Sequence, residues 1–173
     1  MKILFLMFLI SVIHAWTPVP FDNNLPKIYG KWYTNAWMGN VNIPEDKKNQ
    51  KMPSFIIKPI SANKIEAKLN LKKSGRCEEI KLILQTTNEP GKMITWGKQI
   101  VGLLNIKVKD NMIIYMEGKM NGKNIIMMQL LGRNSDVNPE AFKIFEEFVR
   151  SKGQDVAKII KPEVEADCIP GRS

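Results

Sequence analysis

The chain has 173 residues, of which 44% are hydrophobic and 25% are charged, and its formal net charge is +9. A chain of this length is expected to form one domain with a sizeable core. Its lysines are scattered with few aromatic residues among them, which favours a solvated basic surface and argues against a nucleic-acid site; an acidic ligand or surface is the alternative.

The first 15 residues have the pattern of a secretory signal peptide. Lys2 precedes an unbroken apolar run from Ile3 to Ile10, and the small residue Ala15 marks the expected cleavage site. The run is too short to cross a membrane, which takes about 20 residues, so we expect no stable membrane insertion. The mature protein, residues 16–173, is then a single secreted domain. It loses Lys2 and the only histidine, His14, and its net charge becomes +8.

The middle of the chain alternates between apolar and polar residues, which predicts about eight short strands. Asn121-Gly122, between two such runs, is a strong signal for a hairpin turn. The long polar loop from Gly39 to Met52 is typical of a lid or a disordered segment. The predicted strands cover 32–38, 55–60, 65–72, 77–85, 92–96, 100–108, 111–119 and 124–131.

Short turns between strands favour an antiparallel meander. Closing it into an eight-stranded up-and-down β-barrel would remove the exposed edges, and a barrel of eight strands is just wide enough for one small ligand. A helix of about four turns follows, with Asn138 as N-cap, Pro139 in the first turn and Gly153 after the end. Its apolar residues recur at helical spacing, so we expect this helix to pack on the outer wall of the barrel.

The chain has two cysteines, Cys77 and Cys168. In an oxidising compartment an isolated pair most simply forms one disulfide, and two free thiols are the alternative. The disulfide would attach the C-terminal segment to the strand that begins at Cys77.

These features together resemble the lipocalin family over the whole mature chain. The segment from Leu130 to Gly153 is most similar to the branch that contains odorant-binding proteins, late lactation proteins and von Ebner gland proteins. The residues that carry the resemblance are Gly30-Lys31-Trp32, the two cysteines, Gly132-Arg133 and the helix that follows.

The resemblance implies roles for individual residues. Trp32 would close the narrow end of the barrel with Arg133 lying across its ring, and Gly30 would let the chain pass beneath the barrel floor. The cysteine of the fourth barrel strand faces outward in similar proteins, so its neighbours of opposite parity face inward, and Tyr115 should face out. The predicted ligand-binding residues are Phe55, Ile57, Ile65, Ala67, Leu69, Leu71, Ile80, Leu82, Leu84, Met112, Ile114, Met116, Ile125, Met127, Gln129 and Leu131.

This interior would be almost wholly aliphatic and thioether, with Gln129 as its clearest polar group. Each of its residues has an alternative role as filler of a packed barrel. The sequence thus predicts a secreted carrier that binds a small hydrophobic molecule of odorant, pheromone, fatty or phenolic type in a dry, enclosed cavity.

The alternative function is a mucosal or epididymal lipocalin that acts through its surface on cells, microbes or proteases. Catalysis is not expected, because the mature chain has no histidine to act as a base and no spare cysteine. No cofactor, metal or nucleic acid is expected, and the protein should be a monomer or a weak homodimer.

Overall fold

A computed structural model describes residues 17–171. The predicted signal peptide, residues 1–15, lies outside the described residues. The strands are β1 (Val19–Pro20), β2 (Gly30–Gly39), β3 (Phe55–Ser61), β4 (Lys64–Lys73), β5 (Arg76–Thr86), β6 (Lys92–Thr95), β7 (Ile100–Asn105), β8 (Asn111–Met120) and β9 (Lys123–Gly132). The α-helices are α1 (Glu45–Lys48) and α2 (Pro139–Ser151), and 3-10 turns cover Leu25–Ile28 and Val156–Lys158.

Strands β2 to β9 form a closed antiparallel barrel. Each pairs with its neighbour in the chain, β2 also pairs with β9, and the β7–β8 pairing lies within the same ring. The predicted eight-stranded barrel is therefore confirmed. The short strand β1, which the sequence did not predict, pairs with the end of β7. The predicted strand 100–108 ends early at Asn105, since the chain turns towards Asp110, whose φ is +62°.

The two ends of the barrel differ. At one end the 3-10 turn Leu25–Ile28 places two buried apolar side chains beside Trp32 and closes the floor. The other end carries the 40–54 loop and three turns between strands. In the turn at Asn121-Gly122 both residues have positive φ, +53° and +77°, as the predicted hairpin requires. We call this second end the rim.

Helix α2 lies against the outside of the barrel, as predicted. The Asn138 side chain accepts hydrogen bonds from the backbone N–H groups of Glu140 and Ala141, at 2.9 and 3.1 Å, which fixes the start of the helix. Gly153, with φ +72°, follows its end. The apolar stripe of the helix forms one buried cluster with outward-facing side chains of β2, β8 and β9; its helical members are Ala141, Ile144, Phe145, Phe148 and Val149.

The C-terminal segment returns along the barrel. Ile160 forms an antiparallel bridge with Trp37, and Val164 forms a parallel bridge with Met52. Cys168 then forms a disulfide with Cys77, 91 residues earlier in the chain, which confirms the predicted pairing.

Tyr115 faces outward, as predicted, and lies between β8 and α2. Its ring meets the Phe148 ring edge-on at 6.0 Å between centroids, and its hydroxyl donates a hydrogen bond to the Glu117 carboxylate. Burial, followed by the bond to Glu117, raises the pKa of Tyr115 to about 12. Because this pKa lies above the value of about 10 for an unfolded tyrosine, the neutral phenol stabilises the fold below pH 10.

This stabilisation should disappear between about pH 10 and pH 12, as Tyr115 ionises. We expect the wild type to lose more stability across this range than Tyr115→Phe, which keeps the ring and has no proton to lose. Urea unfolding at stepped pH measures the difference, and the tyrosinate absorbance of wild type minus variant should show one phenol titrating near pH 12. Equal stability losses in the two proteins would contradict the prediction.

Candidate functional site

The lower half of the barrel, next to the floor, is filled by side chains. Five of the predicted ligand-binding residues lie here, at most 5% exposed, in one cluster with Trp32, Met93, Val101 and Leu103. They are Ile57, Ile65, Leu84, Met112 and Leu131. In this half of the barrel these side chains fill the interior, and they form the base of a candidate binding site above them.

The upper half, towards the rim, has inward side chains that are less tightly buried. Strand register brings the predicted residues to one face, pairing Ala67 with Leu82, Ile114 with Gln129 and Met116 with Met127. The predicted residues that remain half-buried in this region are Phe55, Ala67, Leu69, Leu71, Ile114, Met116, Ile125, Met127 and Gln129. We call the part of the barrel interior that these residues face the upper chamber.

One wall of this chamber is open, which differs from the enclosed hollow that the sequence predicts. Ile80 and Leu82 have the same inward parity as Leu84, yet they are 43% and 39% exposed. The cause lies in the pairing of β5, since only Leu84 to Thr86 pair with β6. The part of β5 nearer the rim has a neighbour on one side only, so solvent reaches its inward side chains.

Trp37 also faces the chamber, although the sequence did not single it out. It lies directly opposite Gln129 in the β2–β9 pair. Counting alternate residues from Trp32 would turn Trp37 outward, but the register shifts between Thr34 and Ala36, and this bulge reverses the parity of the rest of β2. No residue type in the segment marks the bulge.

The chamber has few polar groups. The indole nitrogen of Trp37 is buried and has no hydrogen-bond partner among the described residues. The Gln129 amide nitrogen has a weak contact with the Met127 sulfur at 3.6 Å. Below the rim, the inward positions of the described strands carry one charged side chain, Glu78, which lies opposite Leu71 in the β4–β5 pair.

At the floor, Trp32 and Arg133 have the geometry that the resemblance implies. The guanidinium carbon of Arg133 lies 3.8 Å from the centre of the Trp32 ring, and the indole nitrogen donates to the Ile28 carbonyl at 2.8 Å. Burial lowers the pKa of Arg133, and the nearby Asp110 carboxylate opposes this effect. Gly30 has φ +98°, and a Cβ there would lie 3.3 Å from the Arg133 guanidinium.

The rim is both basic and apolar. Trp96, in the β6–β7 turn, is 93% exposed and is followed two residues later by Lys98. A hollow of about 580 Å³ beside this turn is lined by residues that include Lys98, Lys119 and Ile125. An exposed indole among lysines is a surface feature that contributes nothing to the packing of the barrel.

Among residues 17–171, no group of three or more acidic, histidine or cysteine side chains is placed to hold a metal ion. Within the same range, none of the helices has the length and apolar character needed to cross a bilayer.

Comparison with known proteins gives consistent matches along the chain. Residues 29–166 match the model of the lipocalin / cytosolic fatty-acid binding protein family. Lipocalin-1 of Sus scrofa is 34% identical over 148 residues, covering 85% of this chain and 83% of that protein. The von Ebner gland protein 2 of Rattus norvegicus is 31% identical over 172 residues, covering 97% of each.

A solved structure described as "The Siderocalin Ex-FABP functions through dual ligand specificities" has the same fold. It superposes with a TM-score of 0.71 at 21% identity, over 81% of this chain and 96% of that one.

Proposed function

Because the chain belongs to the lipocalin / cytosolic fatty-acid binding protein family, as its motifs predicted, we propose that it is a secreted carrier of small hydrophobic molecules. The observation that carries this proposal is the half-buried apolar wall of the upper chamber. Secretion is supported by the signal-peptide pattern of residues 1–15 and by the disulfide, a bond that persists in oxidising compartments.

The expected affinity follows from the area that a guest would bury. Removing about 150–250 Å² of apolar ligand surface from water, at about 25 cal/mol/Å², contributes roughly 4–6 kcal/mol. Ordering of ligand and side chains offsets part of this, so an odorant-sized or fatty molecule should bind at micromolar concentrations at best. Methionines at 116 and 127 are polarisable and adaptable, which favours broad specificity.

The test is displacement of the fluorescent probe N-phenyl-1-naphthylamine from the mature protein by phenols, terpenoids and fatty acids. Filling the chamber with Ala67→Phe should abolish probe binding, because Ala67 is a small inward residue beside Leu82. The neighbouring Glu66→Phe, on the outward face, is the matched control and should bind normally. If the probe and all competitors fail to bind the folded wild type, the carrier function is ruled out.

The exposed rim supports a second candidate function, binding to anionic lipid surfaces. Indole rings and lysines together are suited to the boundary between water and lipid headgroups. Vesicles containing phosphatidylserine should bind the protein at low salt and release it at high salt, and Trp96→Ser should weaken this binding. Vesicles of phosphatidylcholine alone are the control, and equal binding to both compositions would contradict this candidate.

A further inference from the structure

Two side chains that carry hydrogen-bond donors face the upper chamber from adjacent strands, and one oxygen acceptor on a ligand can bond to both. Trp37 and Gln129 are cross-strand partners on β2 and β9, so their side chains leave the sheet on the same face about 5 Å apart at Cβ. Trp37 carries a donor and no acceptor. Its nitrogen is buried without a partner among the described residues.

An unpaired buried N–H group is unfavourable and is rare in folded proteins. The Gln129 amide nitrogen also has hydrogen-bonding capacity left, because its contact with the Met127 sulfur at 3.6 Å is weak. A carbonyl oxygen has two lone pairs and can accept from both nitrogens at once. A hydrocarbon of the same shape would leave the Trp37 donor unpaired and the Gln129 amide nitrogen with only its weak contact to Met127.

The charge of the ligand follows from the surroundings. The inward positions below the rim, as far as the structure describes them, carry no lysine or arginine to pair with a carboxylate. Moving an ionised group into such a chamber has a large desolvation cost. A neutral oxygen acceptor avoids this cost.

We infer that Trp37 and Gln129 form a subsite for a neutral carbonyl oxygen, so that the preferred ligands are ketones, aldehydes or esters with apolar bodies. This inference rests on the proposed carrier function and specifies the ligand class of the same chamber. The carbonyl would lie between β2 and β9, and its apolar body would contact the aliphatic and thioether side chains around it.

The experiment compares benzophenone with diphenylmethane, which have nearly the same shape and differ by the carbonyl. Each competes with N-phenyl-1-naphthylamine for the wild type and for Trp37→Phe, which keeps an aromatic ring and removes the donor. We expect the Kd of benzophenone to rise about tenfold in the variant, corresponding to one lost hydrogen bond, and the Kd of diphenylmethane to change less than twofold. Trp96→Phe, at the exposed rim, is the matched control and should leave both Kd values unchanged.

A second variant and an NMR signal from the Trp37 indole make the test independent of folding defects in Trp37→Phe. Gln129→Met should also raise the Kd of benzophenone selectively. In protein with 15N-labelled tryptophan, the indole N–H resonance lost in Trp37→Phe should move downfield with benzophenone and stay in place with diphenylmethane.

An unchanged ratio of the two Kd values in both variants would overturn the subsite while leaving the carrier function intact. A wild type that binds neither the probe nor either ligand would instead overturn the carrier function, and the subsite with it.

Discussion

Removal of the Cys77–Cys168 disulfide is expected to lower the free energy of unfolding by about 4–5 kcal/mol. The bond closes a loop between residues 91 positions apart, and the chain-entropy model gives about this value for such a loop. Removing the bond increases the conformational entropy of the unfolded chain and leaves that of the native state nearly unchanged. This is a large fraction of the stability of a domain of this size.

When the disulfide is removed, the remaining contacts of the C-terminal segment add little to the free energy of unfolding. Near the disulfide, Asp167 accepts a hydrogen bond from Ser54 at 3.1 Å and pairs with Lys31 at 3.4 Å, and the Asn70 side chain donates to the Cys168 carbonyl at 3.1 Å. The Lys31–Asp167 pair is solvent-exposed and contributes under about 1 kcal/mol. Detachment of this segment is therefore the expected first step of unfolding in the reduced protein.

Urea unfolding of Cys77→Ala/Cys168→Ala against the oxidised wild type measures the loss. The double variant avoids a free thiol, and the wild type in excess dithiothreitol should show the same midpoint. Hydrogen exchange should become faster at Glu165, whose N–H donates to the Met52 carbonyl. A stability loss below about 1 kcal/mol would show that the disulfide contributes little to the free energy of unfolding and that the chain-entropy model fails for this protein.

Local patterns in the sequence are sufficient to predict most of the strands and the helix. Residues alternate from Ile65 to Leu71 because one face of the strand meets solvent and the other is buried. This pattern is a property of the single strand. The N-cap Asn138 and the helical spacing that follows it are equally local. Such features are decided within a few residues and so can be predicted from them.

The remaining features depend on pairing between distant segments. The bulge before Ala36 is a shift in the pairing of β2 with β9, and it alone turns Trp37 into the chamber. The exposure of Ile80 depends on how few residues of β6 pair with β5. The two-residue strand β1 has no alternation to show, and its place is set by Asn105 and Leu104 of β7. None of these pairings leaves a mark in the local sequence.

Trp32, at the floor of the barrel, should be the single position at which substitution lowers stability most. Trp32 is 4% exposed, packs with the buried base of the barrel, and its ring nitrogen donates to the Ile28 carbonyl. Trp32→Ala is expected to lower the free energy of unfolding by about 3–5 kcal/mol, because it removes a large buried side chain and leaves a cavity. Trp96→Ala is the matched control, and at 93% exposure it should change stability by less than about 0.5 kcal/mol.

Part of this loss should come from the contact between the Arg133 guanidinium and the Trp32 ring. The guanidinium stacks on the ring at 3.8 Å and donates to the carbonyls of Lys31 and Lys27 at 3.0 and 3.1 Å, so it joins the floor to the start of β2. A double-mutant cycle with Trp32→Ala and Arg133→Ala, measured by urea unfolding, should give a coupling energy of about 1–2 kcal/mol. Arg133→Lys should recover little, since an ammonium cannot stack and bond both carbonyls as a planar guanidinium does. Additive losses would mean that the ring and the cation stabilise the floor separately, which contradicts a contact made at this distance.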